Sequence, residues 1–166
     1  MNIRKAAVLC LLLTLSACGW QPRGAQQLPA ELKEMQLVVT PPEPRFVASL
    51  ERPLALSGVK LVQRAGVYSL HATTPIQALR NVALDRGARS AEQEMRLEMQ
   101  FELRNGNGDI VFGPRTLSAS RVYAYDPNSV IAKLDEEKLI RQELQENLVG
   151  QLFRQLGRID TKMLAR

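Results

Sequence analysis

Residues 95–109, MRLEMQFELRNGNGD, carry the pattern that decides the fold. Apolar and polar side chains alternate over residues 95–103, which is the period of a β-strand with one buried face. The Asn-Gly-Asn-Gly-Asp run that follows tolerates the positive φ angles of a tight turn. The stretch therefore predicts a strand and a hairpin turn, after which residues 110–125 return as the next strand with a kink at Gly113-Pro114.

Weaker patterns precede this hairpin. Pro53 lies inside one predicted helix and favours an early end or a kink there, because proline cannot donate a helical hydrogen bond. Gly58 predicts the stop of the same helix. The predicted elements are a strand at 32–39, a short helix at 46–56, a strand at 59–62 and a strand region at 68–84 interrupted at TTP, residues 73–75.

A long helix is predicted after the hairpin. DPNS, residues 126–129, predicts its start, since aspartate caps free N–H groups and proline suits the first turn. An apolar stripe continues to about residue 158 and must pack on a sheet; it comprises Ile140, Leu144, Leu148, Leu152 and Leu156. The order of elements predicts an α+β two-layer sandwich: a mostly antiparallel or mixed sheet of about four strands, with a short and a long helix on one face.

The N-terminus has the features of an export signal. Arg4 and Lys5 precede about ten apolar residues, too few to span a bilayer as a helix. The sequence Leu-Ser-Ala-Cys at 15–18 resembles the bacterial lipobox, whose cysteine thiol takes a diacylglyceryl group and whose amine takes a further acyl chain. Cys18 is therefore the predicted lipid-attachment residue.

The chain is thus expected to divide into four parts. They are a signal peptide at 1–17, a lipidated tether at 18–31, a single domain at 32–158 and a frayed basic tail at 159–166. The length of 166 residues suits one domain with a substantial core. The net charge of +5 is mild, and Arg4 and Lys5 in the signal peptide contribute to it. It argues against a dedicated nucleic-acid-binding protein, which carries a dense basic stripe.

Catalysis is not expected from the residues present. His71 is the only histidine, and Cys10 and Cys18 would be removed with the signal peptide and blocked by lipid, respectively. CxxC and HxxxH spacings are absent, so neither a metal site nor a cofactor is predicted. The acidic run at 135–137 fits the solvated start of a helix. A secreted or lipid-anchored hydrolase is accordingly disfavoured.

Several basic residues lie in or beside the predicted strands or in the first turns of the long helix, and two of them, Arg115 and Arg121, lie near Tyr123 and Tyr125. Arginine matches phosphate with two parallel hydrogen bonds, and lysine adds a point charge. The set fits either a site for a phosphorylated lipid or scattered surface charge, and spacing alone favours scattered charge. Its members are Arg80, Arg86, Arg89, Arg115, Arg121 and Lys133.

Four segments together resemble one known family. In order along the chain, the pattern is similar to that of the LPS-assembly lipoprotein LptE family and covers nearly the whole mature chain. In the second segment, Gln93 stands where the family usually has tyrosine. The segments are CGWQPRG (18–24), RSAEQEMRLEMQFEL (89–103), SRVYAYDPNSVIAKLDEEKLIRQEL (120–144) and LVGQLFRQL (148–156).

The resemblance implies a non-enzymatic role at the outer membrane. A family member sits as a plug inside the LptD β-barrel, helps it assemble and binds lipopolysaccharide during its insertion into the outer leaflet. It implies lipopolysaccharide contacts for Lys133, and for Arg121 and Arg89 as matching basic positions. Gly19, rather than aspartate, favours sorting from the lipidated Cys18 to the outer membrane, with the domain facing the periplasm and the barrel lumen. The alternative is a structural envelope lipoprotein that binds another envelope component without transporting lipopolysaccharide.

Overall fold

The computed structural model of the protein describes residues 28–84, 90–124, 130–160 and 164, without the side chains at 84, 90–91 and 130–132. These residues form a six-stranded sheet and two α-helices, preceded by a 3-10 turn at Ala30–Leu32. The strands are β1 (Glu34–Thr40), β2 (Lys60–Leu61), β3 (Tyr68–Thr73), β4 (Ile76–Leu84), β5 (Ser90–Arg104) and β6 (Ile110–Ala124), and the helices are α1 (Pro44–Leu56) and α2 (Val130–Leu156). The predicted α+β class is confirmed, with six strands rather than about four.

The sheet is mixed and is organised around β5. Strand β1 pairs in parallel with β2 and with β3, and the pairings of β5 are antiparallel. Strand β6 runs along almost the whole of one edge of β5. Strands β3 and β4 share the other edge end to end, because the chain breaks at residues 74–75, where Pro75 cannot donate to a ladder. The interruption predicted at residues 73–75 is therefore confirmed.

The core lies between the two helices and one face of the sheet. The alternating apolar side chains of β5, from Met95 to Leu103, are all buried, and so is the predicted stripe of α2. The short helix adds Phe46, Leu50 and Leu54, each without solvent exposure. Burying side chains of this size stabilises a fold by about 1.5–3 kcal/mol each. The sequence patterns of period two and of helical period thus meet in one apolar layer.

The hairpin between β5 and β6 follows the prediction. The Asn105 side-chain oxygen accepts hydrogen bonds from the backbone N–H groups of Asn107 and Asp109 at 3.0 and 2.9 Å. The kink at Gly113-Pro114 coincides with an irregular register opposite Phe101. Gly113 has a φ of +97°, and a Cβ there would lie 2.9 Å from the Phe101 carbonyl oxygen. Glycine is therefore required by both conformation and space.

Helix α1 does not end at Pro53. It continues to Leu56 and stops before Gly58, which has a φ of +80° as a helix stop requires. Proline in a helix interior costs about 3 kcal/mol. The buried leucines at 50 and 54, on either side of the proline, offset that cost by anchoring the last turns in the core.

The prediction of a frayed C-terminal tail is corrected by the structure. Leu164 is buried, and its carbonyl oxygen accepts a hydrogen bond of 2.5 Å from the Tyr68 hydroxyl. Ile159 is also buried. The hydrogen bond from Tyr68 ties Leu164 to β3, so the tail is not frayed at that residue. The predicted signal peptide, Cys18 and the predicted helix cap at 126–129 lie outside the described residues. Within the described ranges, neither helix has the length and hydropathy needed to cross a membrane.

Candidate functional site

Lys133 lies in the first turns of α2 and is half-buried. Its ammonium nitrogen is 3.5 Å from a carboxylate oxygen of Glu137, one helical turn further along. The two side chains are 27% and 16% exposed, so the pair is shielded from bulk water more than a surface ion pair is. Lys133 thus forms an ion pair with Glu137 and remains partly accessible to solvent.

Tyr123 joins this pair to the sheet. It is buried on β6, with its hydroxyl 2.9 Å from the Glu137 carboxylate and 3.1 Å from the Gln93 side-chain oxygen. One hydroxyl proton serves one of these acceptors at a time. Gln93 in turn donates to the Asn81 side-chain oxygen at 3.0 Å. We call the set Asn81, Gln93, Tyr123, Glu137 and Lys133 the polar chain; it crosses from β4 to α2.

Arg121 lies beside the polar chain. It pairs in register with Met95, whose side chain is in the core, so Arg121 is on the helix side of the sheet. Its guanidinium forms an ion pair with Glu143 of α2. The arginine side chain is half exposed, and pairs of this kind contribute about 0–1 kcal/mol to stability. A stronger anion can therefore displace the carboxylate at small cost to the fold.

The structure brings two of the predicted ligand-contact residues to one side of the molecule. Lys133 and Arg121 each contact a carboxylate of α2. Those carboxylates, at residues 137 and 143, are separated by about 9 Å along the helix axis at about 1.5 Å per residue. Arg89 and the lipid-attachment residue Cys18 lie outside the described residues.

The other basic candidates are placed elsewhere. Arg80 is on the opposite face of the sheet and forms an ion pair of 2.5 Å with Glu94. A hydrogen bond from Ser120 and the charge of Arg80 hold the pKa of Glu94 below its usual value. The Arg115 guanidinium lies 5.0 Å from the centre of the Phe112 ring. Arg86 is outside the described residues.

Three members of the polar chain escape sequence reasoning: Glu137, Gln93 and Asn81, the last of which is found only through its hydrogen bond with Gln93. The acidic run at 135–137 predicts a solvated face, which holds for Asp135 and Glu136 but is wrong for Glu137. The spacing of four between Lys133 and Glu137 is the signal that indicates the pair. Gln93 is found only through strand register, since it lies opposite Tyr123 on β5.

His71 lies on the other face of the sheet from the polar chain. Its ring nitrogen Nε2 is 3.1 Å from the Ser69 hydroxyl, which is itself buried and closed to a substrate. Burial and the charge of Arg104 lower the pKa of His71, while Glu102 raises it. Within the described ranges, no group of three or more His, Cys, Asp or Glu residues is arranged to hold a metal ion.

Comparison with known proteins identifies the family. A family model described as "LptE: Lipopolysaccharide-assembly" matches residues 32–156, which span both helices and the entire sheet. The chain belongs to the LptE family. The resemblance found in the sequence is thereby confirmed, and membership supports the expectation of a non-enzymatic protein.

Relatives and a solved structure agree with this assignment. The LPS-assembly lipoprotein LptE of Pectobacterium atrosepticum is 29% identical over 151 residues, covering 89% of this chain and 80% of the relative. The protein of the same name from Yersinia pestis is 29% identical over 157 residues, covering 90% and 75%. A crystal structure of a minor lipoprotein from Acinetobacter baumannii has a TM-score of 0.64 and 27% identity, covering 78% of this chain and 93% of that one.

Proposed function

We propose that the protein is a lipid-anchored subunit of the lipopolysaccharide-assembly machinery in the outer membrane. In this role it occupies the lumen of the LptD β-barrel and binds lipopolysaccharide as the lipid passes to the outer leaflet. The names of its relatives, LPS-assembly lipoproteins, support an envelope location and a role with lipopolysaccharide. The observation that supports ligand binding is the pair of exchangeable cations, Lys133 and Arg121, beside the polar chain.

The ligand chemistry follows from these ion pairs. Lipopolysaccharide carries phosphate groups on its lipid A portion, and phosphate is a stronger acceptor for arginine and lysine than a lone carboxylate. Phosphate groups that approach α2 displace Glu137 from Lys133 and, about 9 Å further along the helix, Glu143 from Arg121. Glu137 does not become an unpaired buried charge, because the Tyr123 hydroxyl continues to donate to it. The cations would also compete with the divalent ions that hold lipopolysaccharide molecules together.

Arg89 extends the proposed site. It comes immediately before β5, four residues ahead of Gln93. Gln93 belongs to the polar chain and contacts Tyr123. We assign Arg89 a phosphate contact on the basis of the family pattern and this position in the chain.

The anchor and the barrel complete the proposal. A lipidated Cys18 carries more than one acyl chain, and two or more chains give stable membrane attachment where one gives only marginal attachment. Attachment raises the concentration of the domain near a barrel in the same membrane. A folded domain of this size can fill a wide barrel lumen that would otherwise hold water.

The lipopolysaccharide site is tested by Lys133→Asp. Charge reversal removes the attraction to phosphate and places repulsion there, so affinity for lipopolysaccharide should fall at least about tenfold. Lys60→Asp is the matched control, because Lys60 is an exposed lysine on β2, away from α2. Circular dichroism confirms that both variants fold. Equal affinities of the folded Lys133→Asp and Lys60→Asp variants would remove Lys133 from the site.

The partner is tested by purification from native envelopes with a C-terminal tag. Recovery of a large outer-membrane β-barrel in stoichiometric amount is the expected result. Recovery of the lipidated protein alone, under conditions that keep other barrel complexes intact, would favour a structural envelope lipoprotein. Replacing Cys18 by Ala is expected to release the protein from the membrane fraction.

A further inference from the structure

A cleft of about 350 Å³ lies between α1 and the middle of α2. Arg45 of α1 and Lys138 and Arg141 of α2 line it. We propose that this cleft is a second anion-binding site, which takes a phosphate group through these three cations. The proposal goes beyond the lipopolysaccharide role and does not depend on it, since none of the three residues belongs to the polar chain.

The three cations differ from four arginines on or beside the sheet that already have acidic partners. Arg64, Arg80, Arg96 and Arg104 each form an ion pair with a glutamate. Arg45, Lys138 and Arg141 are exposed and make no ion pair or side-chain hydrogen bond with another residue in the described ranges. Their charges are therefore available to a ligand.

Two features of these positions place a positive charge where it is unfavourable. Lys138 and Arg141 are three residues apart on α2, a spacing that places like charges side by side and weakens a helix. Arg45 is in the first turn of α1, where the positive end of the helix dipole disfavours a cation. A bound anion would offset the repulsion between Lys138 and Arg141.

A hydrogen bond links the two helices across the cleft. The Gln145 side-chain nitrogen of α2 donates to the Ser49 hydroxyl of α1 at 3.2 Å, which ties the two helices together below the cations. Both residues are only partly exposed. The cations of the two helices therefore line one cleft between linked helices.

The two carboxylates of the cleft limit the negative charge that a ligand can carry. Glu146 accepts a hydrogen bond of 3.3 Å from Gln142, and Glu43 lies at the N-cap of α1. Three cations against two carboxylates favour a single small anion over an extended polyanion. The volume fits a phosphate with its adjoining glycerol or sugar, and either a lipid headgroup or a free phosphate supplies this chemistry.

The site is tested with the full chain in detergent, titrated with micelles that contain phosphatidic acid or phosphate-free diacylglycerol. The wild type should prefer phosphatidic acid. At about fivefold per cation, the double variant Arg45→Gln/Arg141→Gln should lose roughly 25-fold in affinity, and Lys138→Gln alone about fivefold. Arg52→Gln is the matched control, because Arg52 is an exposed arginine of α1 that does not line the cleft.

Several outcomes would overturn the proposal. The first is a loss of phosphatidic acid affinity that is equal in the double variant and in Arg52→Gln, and the second is no loss in either. The third is a double variant that binds phosphatidic acid unchanged but no longer co-purifies with the barrel, which would assign the cleft to a protein partner. Competition by pyrophosphate would show that free phosphate is accepted, and its absence would restrict the site to lipid headgroups. Lys133→Asp should retain the phosphatidic acid preference, so failure of the lipopolysaccharide site leaves this test intact.

Discussion

At its carboxyl end, β5 places Phe101 and Leu103 beneath the helices with almost no solvent exposure, whereas at its amino end the same face carries Gln93. The first end is closed by β3 and the core. The second end lies beside β4, where Leu79 is 46% exposed and Asn81 bonds Gln93. The proposed ligand site therefore begins where the apolar alternation of β5 stops.

The largest expected effect tests the apolar end of β5. Phe101→Ala removes a fully packed ring and should lower the free energy of unfolding by about 3–5 kcal/mol. Leu79→Ala, at the polar end, removes a side chain that is already half exposed and should cost about 1 kcal/mol or less. Urea denaturation followed by circular dichroism measures both. Similar losses of unfolding free energy at the two positions would contradict the conclusion that the two ends of β5 differ in packing.

The next effect concerns the close approach at the kink of β6. Gly113→Ala must keep a positive φ and also move the Phe101 carbonyl, so a loss of roughly 2–4 kcal/mol is expected. Gly108→Ala is the control, since Gly108 has a φ of +91° but nothing within 4 Å of the place where a Cβ would lie. It should lose only about 1–2 kcal/mol. Equal losses would show that backbone conformation alone makes glycine necessary at residue 113.

The sequence predicts the apolar end better than the polar one. Alternation at residues 95–103 and the stripe of α2 are local patterns, so strand, helix and core follow from them. The polar chain depends on which residues face one another across strands. The partnership of Tyr123 with Gln93 requires the register of β5 and β6, which lies outside any local window. The burial of Leu164 likewise depends on a contact with Tyr68, far away in sequence.

A pair of tyrosines then separates binding from stability. Tyr123→Phe and Tyr68→Phe each remove one hydroxyl hydrogen bond and should each cost about 0.5–1.5 kcal/mol of stability. Only Tyr123 holds Glu137, so Tyr123→Phe alone should change the affinity for lipopolysaccharide. Thermal unfolding and binding measured on the same preparations give both quantities. A binding change in Tyr68→Phe of the same size would mean that stability, rather than the polar chain, controls affinity.

The smallest expected effect on stability lies at the carboxyl end of β5. There His71 of β3 lies opposite Glu102 in the strand register, on the face of the sheet away from the helices. Burial and Arg104 lower the pKa of His71 below its ordinary value of 6.5, against the opposing charge of Glu102. The unfolded chain therefore binds more protons than the folded one in the interval below about pH 6.5, so stability falls as the pH drops through that interval.

His71→Gln should make this fall shallower while leaving lipopolysaccharide binding unchanged. Urea midpoints at about pH 7.5 and about pH 5.5 measure the difference. An unchanged slope would show that His71 does not contribute to the pH dependence, and altered lipopolysaccharide binding would mean that the two ends of β5 are coupled.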